Sequence, residues 1–172
     1  MANSAIQQKI QQAYTAAPMG NKFGETLKAA LQHFSAEMGT IHFLNPKDGN
    51  LHLIASSAGI PEGMMTAIKK IPPGKGIAGE AAQKKKPVTL CNLQKDTTLN
   101  ANQAKPSGAQ AALCVPMLSG EQVLGTFGIG SNKDRVFTDL ETAELLEAGK
   151  VLAEQLKGYV FSEAGAPEMT KR

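Results

Sequence analysis

The sequence predicts an α+β domain: an antiparallel sheet of five or six strands, with the terminal helices on one face and a lid of loops and short helices on the other. Three observations carry this. Amphipathic helical patterns stand at both ends of the chain. Between them lie two pairs of short β-branched or apolar runs, each pair joined by a turn signal. Between the pairs runs a Gly-, Pro- and Lys-rich segment, residues 61–107, held by few hydrophobic contacts. Helices grouped apart from hairpins belong to an antiparallel α+β arrangement, not to an alternating parallel one.

The elements follow in order. Ser4 caps a first helix over 4–16, and Gln7 three residues on completes a capping box. Ile6, Ile10, Ala13 and Tyr14 share one face of it. So short a helix is marginal alone, and its stripe is expected to meet the same helix of a second copy, together with the last helix, rather than dock within its own chain. Pro18 and Gly20 break it. A second helix covers 22–37, with Phe23, Leu27, Ala30, Leu31 and Phe34 on one side and Gly39 as its terminal glycine. Strands at 40–44 and 51–56 follow, paired through the Asp48-Gly49 turn. Pro61 opens a short helix that ends at Lys69, and Pro72-Pro73-Gly74 breaks the chain again. Another short helix spans 76–85, with Lys84, Lys85 and Lys86 at its C-terminal end, where positive charge suits the helix dipole. A strand at 87–91 leads into a long polar loop, 92–107, with room for one helical turn. Strands at 109–118 and 122–129 turn at Gly120-Glu121. Thr138 and Glu141 form a capping box for a last helix reaching about residue 159, with Leu145, Gly149, Leu152 and Leu156 inward. The chain divides into a dimerising helix (1–20), the domain (21–160) and a flexible tail (161–172).

Bulk properties narrow the function. The chain has 172 residues, 42% of them hydrophobic, enough for one core. A net charge of +3 lacks the dense basic patch with interleaved aromatics of a nucleic-acid binder, so no nucleic-acid partner is expected. The N-terminus has no apolar leader segment, and no apolar run approaches the roughly 20 residues that span a bilayer. A cytoplasmic protein with no membrane role is the expectation. Two cysteines, Cys91 and Cys114, stand apart from each other and from any metal-binding spacing. No metal is assigned, and the sequence names no cofactor.

Gly74, Gly76 and Gly79 match a GxGxxG pattern. A dinucleotide site needs a strand before it, and Pro72-Pro73 spoil one, so the glycines read as a turn feeding a tightly packed helix. The free N–H groups at that helix start, beside Lys75, would suit an anionic group of a ligand. His42 and His52 sit mid-strand in the first hairpin. They read as satisfied sheet residues, or as a facing pair able to hold a metal or haem. His33, on the polar side of the second helix, reads as exposed. Gly128 and Gly130 strip one face of the last strand of side chains, for close helix packing or for a ligand.

Residues 73–82 (PGKGIAGEAA), Pro87-Val88, 112–117 (ALCVPM), 123–129 (VLGTFGI) and 137–141 (FTDLE) together resemble a GAF domain, over roughly residues 23–156. That resemblance implies a GAF/PAS-like sheet, a small-molecule pocket under the lid, and frequent homodimerisation through the terminal helices. One GAF family reduces free methionine sulfoxide, and Cys91 and Cys114 raise that alternative. Its cysteine positions are unmet here: Ala78 stands in the first, and no Cys lies between Asn92 and Leu113. Its acidic positions hold Ala112, Gly128 and Gly130. Bilin attachment needs a Cys beside a His, absent here. Asn21-Lys22-Phe23 with Glu25 matches a cyclic-nucleotide signature only by chance, because the family disperses those residues. A third alternative is an interaction domain whose pocket is filled by Met64, Met65 and Met117.

The expected function is therefore a non-catalytic small-molecule sensor or regulator acting through dimerisation or a partner chain. Its candidate ligand-contacting residues are His42 and Ser56 on the first hairpin, and Lys75, Gly76 and Ile77 at the helix start. Thr89, Cys91 and Asn92 join them at the third strand, and Cys114, Gly128 and Gly130 on the last two.

Overall fold

The computed structural model describes residues 3–160 and 170–171. Helix α1 (Ala5–Ala16) carries the expected capping box, with Ser4 and Gln7 exchanging hydrogen bonds. Helix α2 (Lys22–Phe34) ends earlier than the sequence suggested. Ser35 takes the left-handed conformation at φ 51°, and its N–H closes back on the carbonyls of Leu31 and Gln32. Gly39 is therefore no helix stop. It lies in strand β1 (Met38–Leu44), and its bare Cα lets Leu27 of α2 come close: a Cβ there would sit 2.8 Å from Leu27 Cδ1.

Strand β2 (Leu51–Ser56) pairs antiparallel with β1 across the Asp48-Gly49 turn, where Gly49 has φ 73°. Helix α3 (Glu62–Ile68) follows, then a short edge strand β3 (Lys70–Ile71) that the polar sequence did not announce. Helix α4 (Gly76–Lys84) and strand β4 (Val88–Leu90) lie within the expected spans. The region read as a loop holds a helix, α5 (Leu99–Ala104), flanked by two 3-10 turns. Strands β5 (Ala111–Ser119) and β6 (Gln122–Ser131) form the second hairpin. Helix α6 (Asp139–Leu156) starts at the Thr138/Glu141 capping box. Strand β7 (Tyr159–Val160) pairs with β8 (Thr170–Lys171), and the rest of the expected flexible tail lies outside the described residues.

One six-stranded antiparallel sheet runs in the order β3-β2-β1-β6-β5-β4. Its two faces are covered differently. Helices α1, α2 and α6 pack one face densely, around Phe127, Ile41, Leu113, Val115 and Met117 of the sheet. Gly149 of α6 permits a close approach, since a Cβ there would lie 3.3 Å from Met117 Cγ. The other face carries α3, α4 and α5. That lid is pinned at one side by Ile71 and Ala82 against Leu51 and Val123, a firmer seat than its sequence suggested. Leu93 and Ala101 anchor its far part, both fully buried.

The stripe on α1 corrects an expectation. Ile6, Ile10 and Tyr14 are at most 3% exposed within one chain, packed into the core against α2 and α6. Tyr14 also hydrogen-bonds the hydroxyl of Tyr159, and its ring meets Phe23 edge-on. The face offered to a second copy is already used. His33 is likewise not a free surface residue: Lys9 donates to its Nδ1 at 3.1 Å, and its Nε2 reaches Glu144 at 2.8 Å, joining α1, α2 and α6.

Removing this packing has a defined consequence. Ile10→Ala is expected to cost about 2–5 kcal/mol, the range for a buried aliphatic truncation, in urea unfolding of the whole chain. A loss well under about 1 kcal/mol would mean that Ile10 is not packed within its own chain.

Candidate functional site

The lid rests on the sheet through α4, which packs against β5 and β6, but it leaves a hollow beside that contact. Strand alternation sends Thr40 and His42 of β1, Ala112 and Cys114 of β5, and Gly128 and Gly130 of β6 toward it. Most of these are small. A Cβ built at Gly128 would find only sheet atoms, Thr40 Oγ1 at 3.4 Å and Cys114 Sγ at 3.6 Å, and no helix. The glycines thus hollow the floor and do not serve helix packing. Above them is a cavity of about 460 Å³, within the range of small-molecule sites. Met64 and Ile68 of α3, the start of α4, Leu93, and Asn100 and Gln103 of α5 form its roof.

The glycine-rich turn sets the rim. Gly74 and Gly76 take φ of 81° and 65°, conformations that side chains resist. Gly74 N–H donates to the Gly79 carbonyl, and a Cβ at Gly79 would press on Pro72 O at 2.9 Å. All three glycines are required to fold the turn back on α4. Lys75 occupies the N-cap without capping by its side chain. Among the described residues, the N–H groups of Gly76, Ile77 and Ala78 meet no protein acceptor.

His42 is 1% exposed and ties floor to roof: its Nε2 lies 2.8 Å from the Ile68 carbonyl. A carbonyl only accepts, so Nε2 carries the proton and Nδ1 is a bare acceptor. Nδ1 has no partner, and neither does Gln103 Oε1 at the roof. Burial holds the imidazole pKa down at about 4, with the Ile68 carbonyl pulling upward and His52 downward. The ring is neutral at pH 7. Burial also pushes the Cys114 thiol up to about 12, so it is no thiolate.

Of the residues singled out from the sequence, His42, Lys75, Gly76, Ile77, Cys114, Gly128 and Gly130 line the cavity. Four do not. Ser56 pairs with Thr40 one strand further out, beyond the hollow. Thr89 lies on the edge strand opposite Leu113, is exposed, and is not in the lining. Cys91 and Asn92 follow the end of β4 and are exposed, the latter turning away at φ 50°. The two histidines are no facing pair either. Residue 42 lies opposite Leu53, while His52 lies opposite Phe43 of the helix-side core, so they stand on opposite faces. His52 instead bonds Asp48 at 2.8 Å. Among the described residues, no cluster of three His, Cys, Asp or Glu side chains is placed to hold a metal. The sequence missed Thr40, Ile68, Leu93, Asn100, Gln103 and Ser107. Thr40 was signalled, standing two residues before His42 on the same strand face. The others lie in short helices without periodicity.

The three methionines proposed to fill the pocket do not converge. Met64 lines it, but Met117 is in the core beneath the helices, and Met65 is not in the lining. Asn21 also serves elsewhere, bonding Glu25 at the start of α2. Among the described residues, no helix is long and apolar enough to cross a membrane.

An antiparallel sheet with packed helices on one face and a lidded cavity on the other defines a small α+β domain with a built-in pocket. The family model described as GAF domain matches residues 23–154, and the chain belongs to that family. Solved structures agree on the fold. The GAF domain of an Acinetobacter phosphoenolpyruvate-protein phosphotransferase superposes with TM-score 0.71 at 16% identity, covering 91% of this chain and 95% of that one. Free methionine-R-sulfoxide reductase from Neisseria meningitidis, in complex with its substrate, gives 0.70 at 16%, with the same coverage of 91% and 95%. A domain of a two-component sensor histidine kinase from Sinorhizobium meliloti gives 0.64 at 15%, covering 83% and 92%. Among curated proteins, none matches the sequence.

The depressed His42 pKa sets a pH dependence. Its unfolded-state value, near 6.5, lies above the folded value of about 4. The unfolded chain therefore binds the proton first, and stability present above pH 6.5 is lost as pH falls toward 4. Moving from 6.5 to 4 corresponds to roughly 3 kcal/mol. Urea unfolding between pH 7.5 and 4.5 should show wild type losing clearly more stability than His42→Gln, which cannot titrate. Equal losses would place the pH sensitivity in other groups.

Proposed function

We propose that this chain is a non-catalytic small-molecule sensor, with the cavity as its ligand site and a partner chain or second copy as its output. The observation that carries it is the pairing of an open, mainly apolar cavity with reactive groups held inert. Cys114 is the thiol in the lining, and it is buried and protonated. His42 is neutral and already bonded to Ile68. Cys91 is exposed and lies three residues along the chain from Val88, the cross-strand partner of Cys114. That is roughly 10 Å at strand rise, beyond the reach of a disulfide. A sulfoxide reductase needs an accessible thiolate and a resolving partner; the thiol in the lining, Cys114, is buried and protonated, and Cys91 stands too far off to resolve it.

The His42–Ile68 bond suggests how occupancy is reported. It joins β1 directly to the end of α3, so a ligand that moves α3 also strains the sheet's centre. The same sheet carries α6 on its other face, with Gly149 against Met117. Differential binding to two positions of the lid would shift their populations.

A thermal-shift screen of nucleotides, amino acids, organic acids and haem should find at least one stabiliser. At a hundredfold excess over Kd the gain is about 2.7 kcal/mol, several degrees in Tm. Gly128→Val places a branched side chain on the cavity floor, and should abolish that shift while leaving the unliganded Tm within a few degrees. Methionine sulfoxide with dithiothreitol should show no turnover. Turnover lost in Cys114→Ser would replace the sensor with the reductase.

A further inference from the structure

The cavity's lining holds one charged side chain, Lys75, and no carboxylate. Lys75 adjoins the start of α4, where three backbone N–H groups have no acceptor. Glu80 lies on the same helix, but Lys84 and Asn100 both bond it, at 2.6 and 2.7 Å. The rim therefore carries uncompensated positive potential, from a cation and from the helix dipole together. At the floor the demand is opposite. His42 is 1% exposed and its Nδ1 is an acceptor left without a donor. Thr126, its cross-strand neighbour, does not bond it. Between rim and floor the walls are Ile60, Met64, Ile68, Ile71, Ile77 and Leu93. A buried unpaired acceptor carries a desolvation cost that a ligand donor would relieve.

We infer that the cavity takes a two-poled organic anion: a carboxylate seated on the α4 N-terminus and Lys75, an apolar body against the isoleucines, and an O–H or N–H group donating to His42 Nδ1. The inference rests on the cavity being the ligand site. The Ser107 hydroxyl is already donated to Ala104 O, and Asn100 commits one of its two amide N–H groups to Glu80. Since burial keeps His42 neutral, the floor accepts a donor across the neutral pH range, and an inorganic anion would leave both the walls and Nδ1 unmet.

Calorimetric titration of the full chain tests it with phenylacetate, 4-hydroxyphenylacetate, indole-3-acetate and octanoate, each beside its primary amide. Acids should bind at least about tenfold tighter than their amides, the scale of a charge-assisted hydrogen bond. The two donor-bearing acids should outbind phenylacetate. Lys75→Gln, at an exposed position, should weaken the acids severalfold and leave the amides unchanged. Amides equal to their acids would overturn the anionic pole. Equal binding of phenylacetate and 4-hydroxyphenylacetate, with indole-3-acetate no tighter than octanoate, would overturn the donor pole. Should only uncharged compounds from the wider screen bind, blocked by Gly128→Val, this inference falls while the sensor stands. Should no compound of either set bind, both fall.

Discussion

A sheet buried on both faces needs side chains on both, and here the lid face lacks them at its centre. Ala112, Gly128 and Gly130 leave a hollow that a lid of short helices spans without filling. A well-packed interior tolerates no such void, so the stability of the domain must come from the other face. There Phe127, Leu113, Val115, Met117 and Ile41 meet three helices, and Leu145, Leu152, Ile10 and Leu27 close over them. The division is physical: one face holds the fold, and the other is free to hold something else.

The lid survives on few attachments. The Leu51–Ile71–Ala82–Val123 cluster seats one side, Leu93 and Ala101 the other, and the His42–Ile68 bond crosses between. Gln94 adds a clasp, its amide donating to the carbonyls of Lys105 and Ala109. Segments with few buried apolar contacts open at low free energy, and a site roofed by such a segment can admit a ligand without unfolding the helix side. The polar groups left unpaired at the rim and floor are the features that packing alone does not explain.

Local chemistry was legible wherever one or two residues decide the outcome. The two capping boxes at Ser4 and Thr138, the Asp48-Gly49 hairpin and the glycine turn before α4 all stand where their residue types demand. Errors arose where a side chain had an unseen neighbour. Gly39 resembled a helix stop, yet Ser35 turns the chain and Gly39 makes room for Leu27. Helix α1 resembled a dimer element because the residues that cover it, on α2 and α6, are far away in the chain. His42 and His52 resembled a pair until the register set them on opposite faces.

The sequence by itself determined the order of the longer helices and strands, the hairpin turns, the GAF motifs and the small residues of the floor, because period, capping and glycine geometry are local properties. Tertiary structure alone decided that Ser56, Thr89, Cys91 and Asn92 miss the hollow and that Gln103 and Asn100 reach it. It alone left His42 Nδ1 without a donor. Which atoms remain unpaired depends on strand register and lid placement together, and neither is carried by any single stretch of chain.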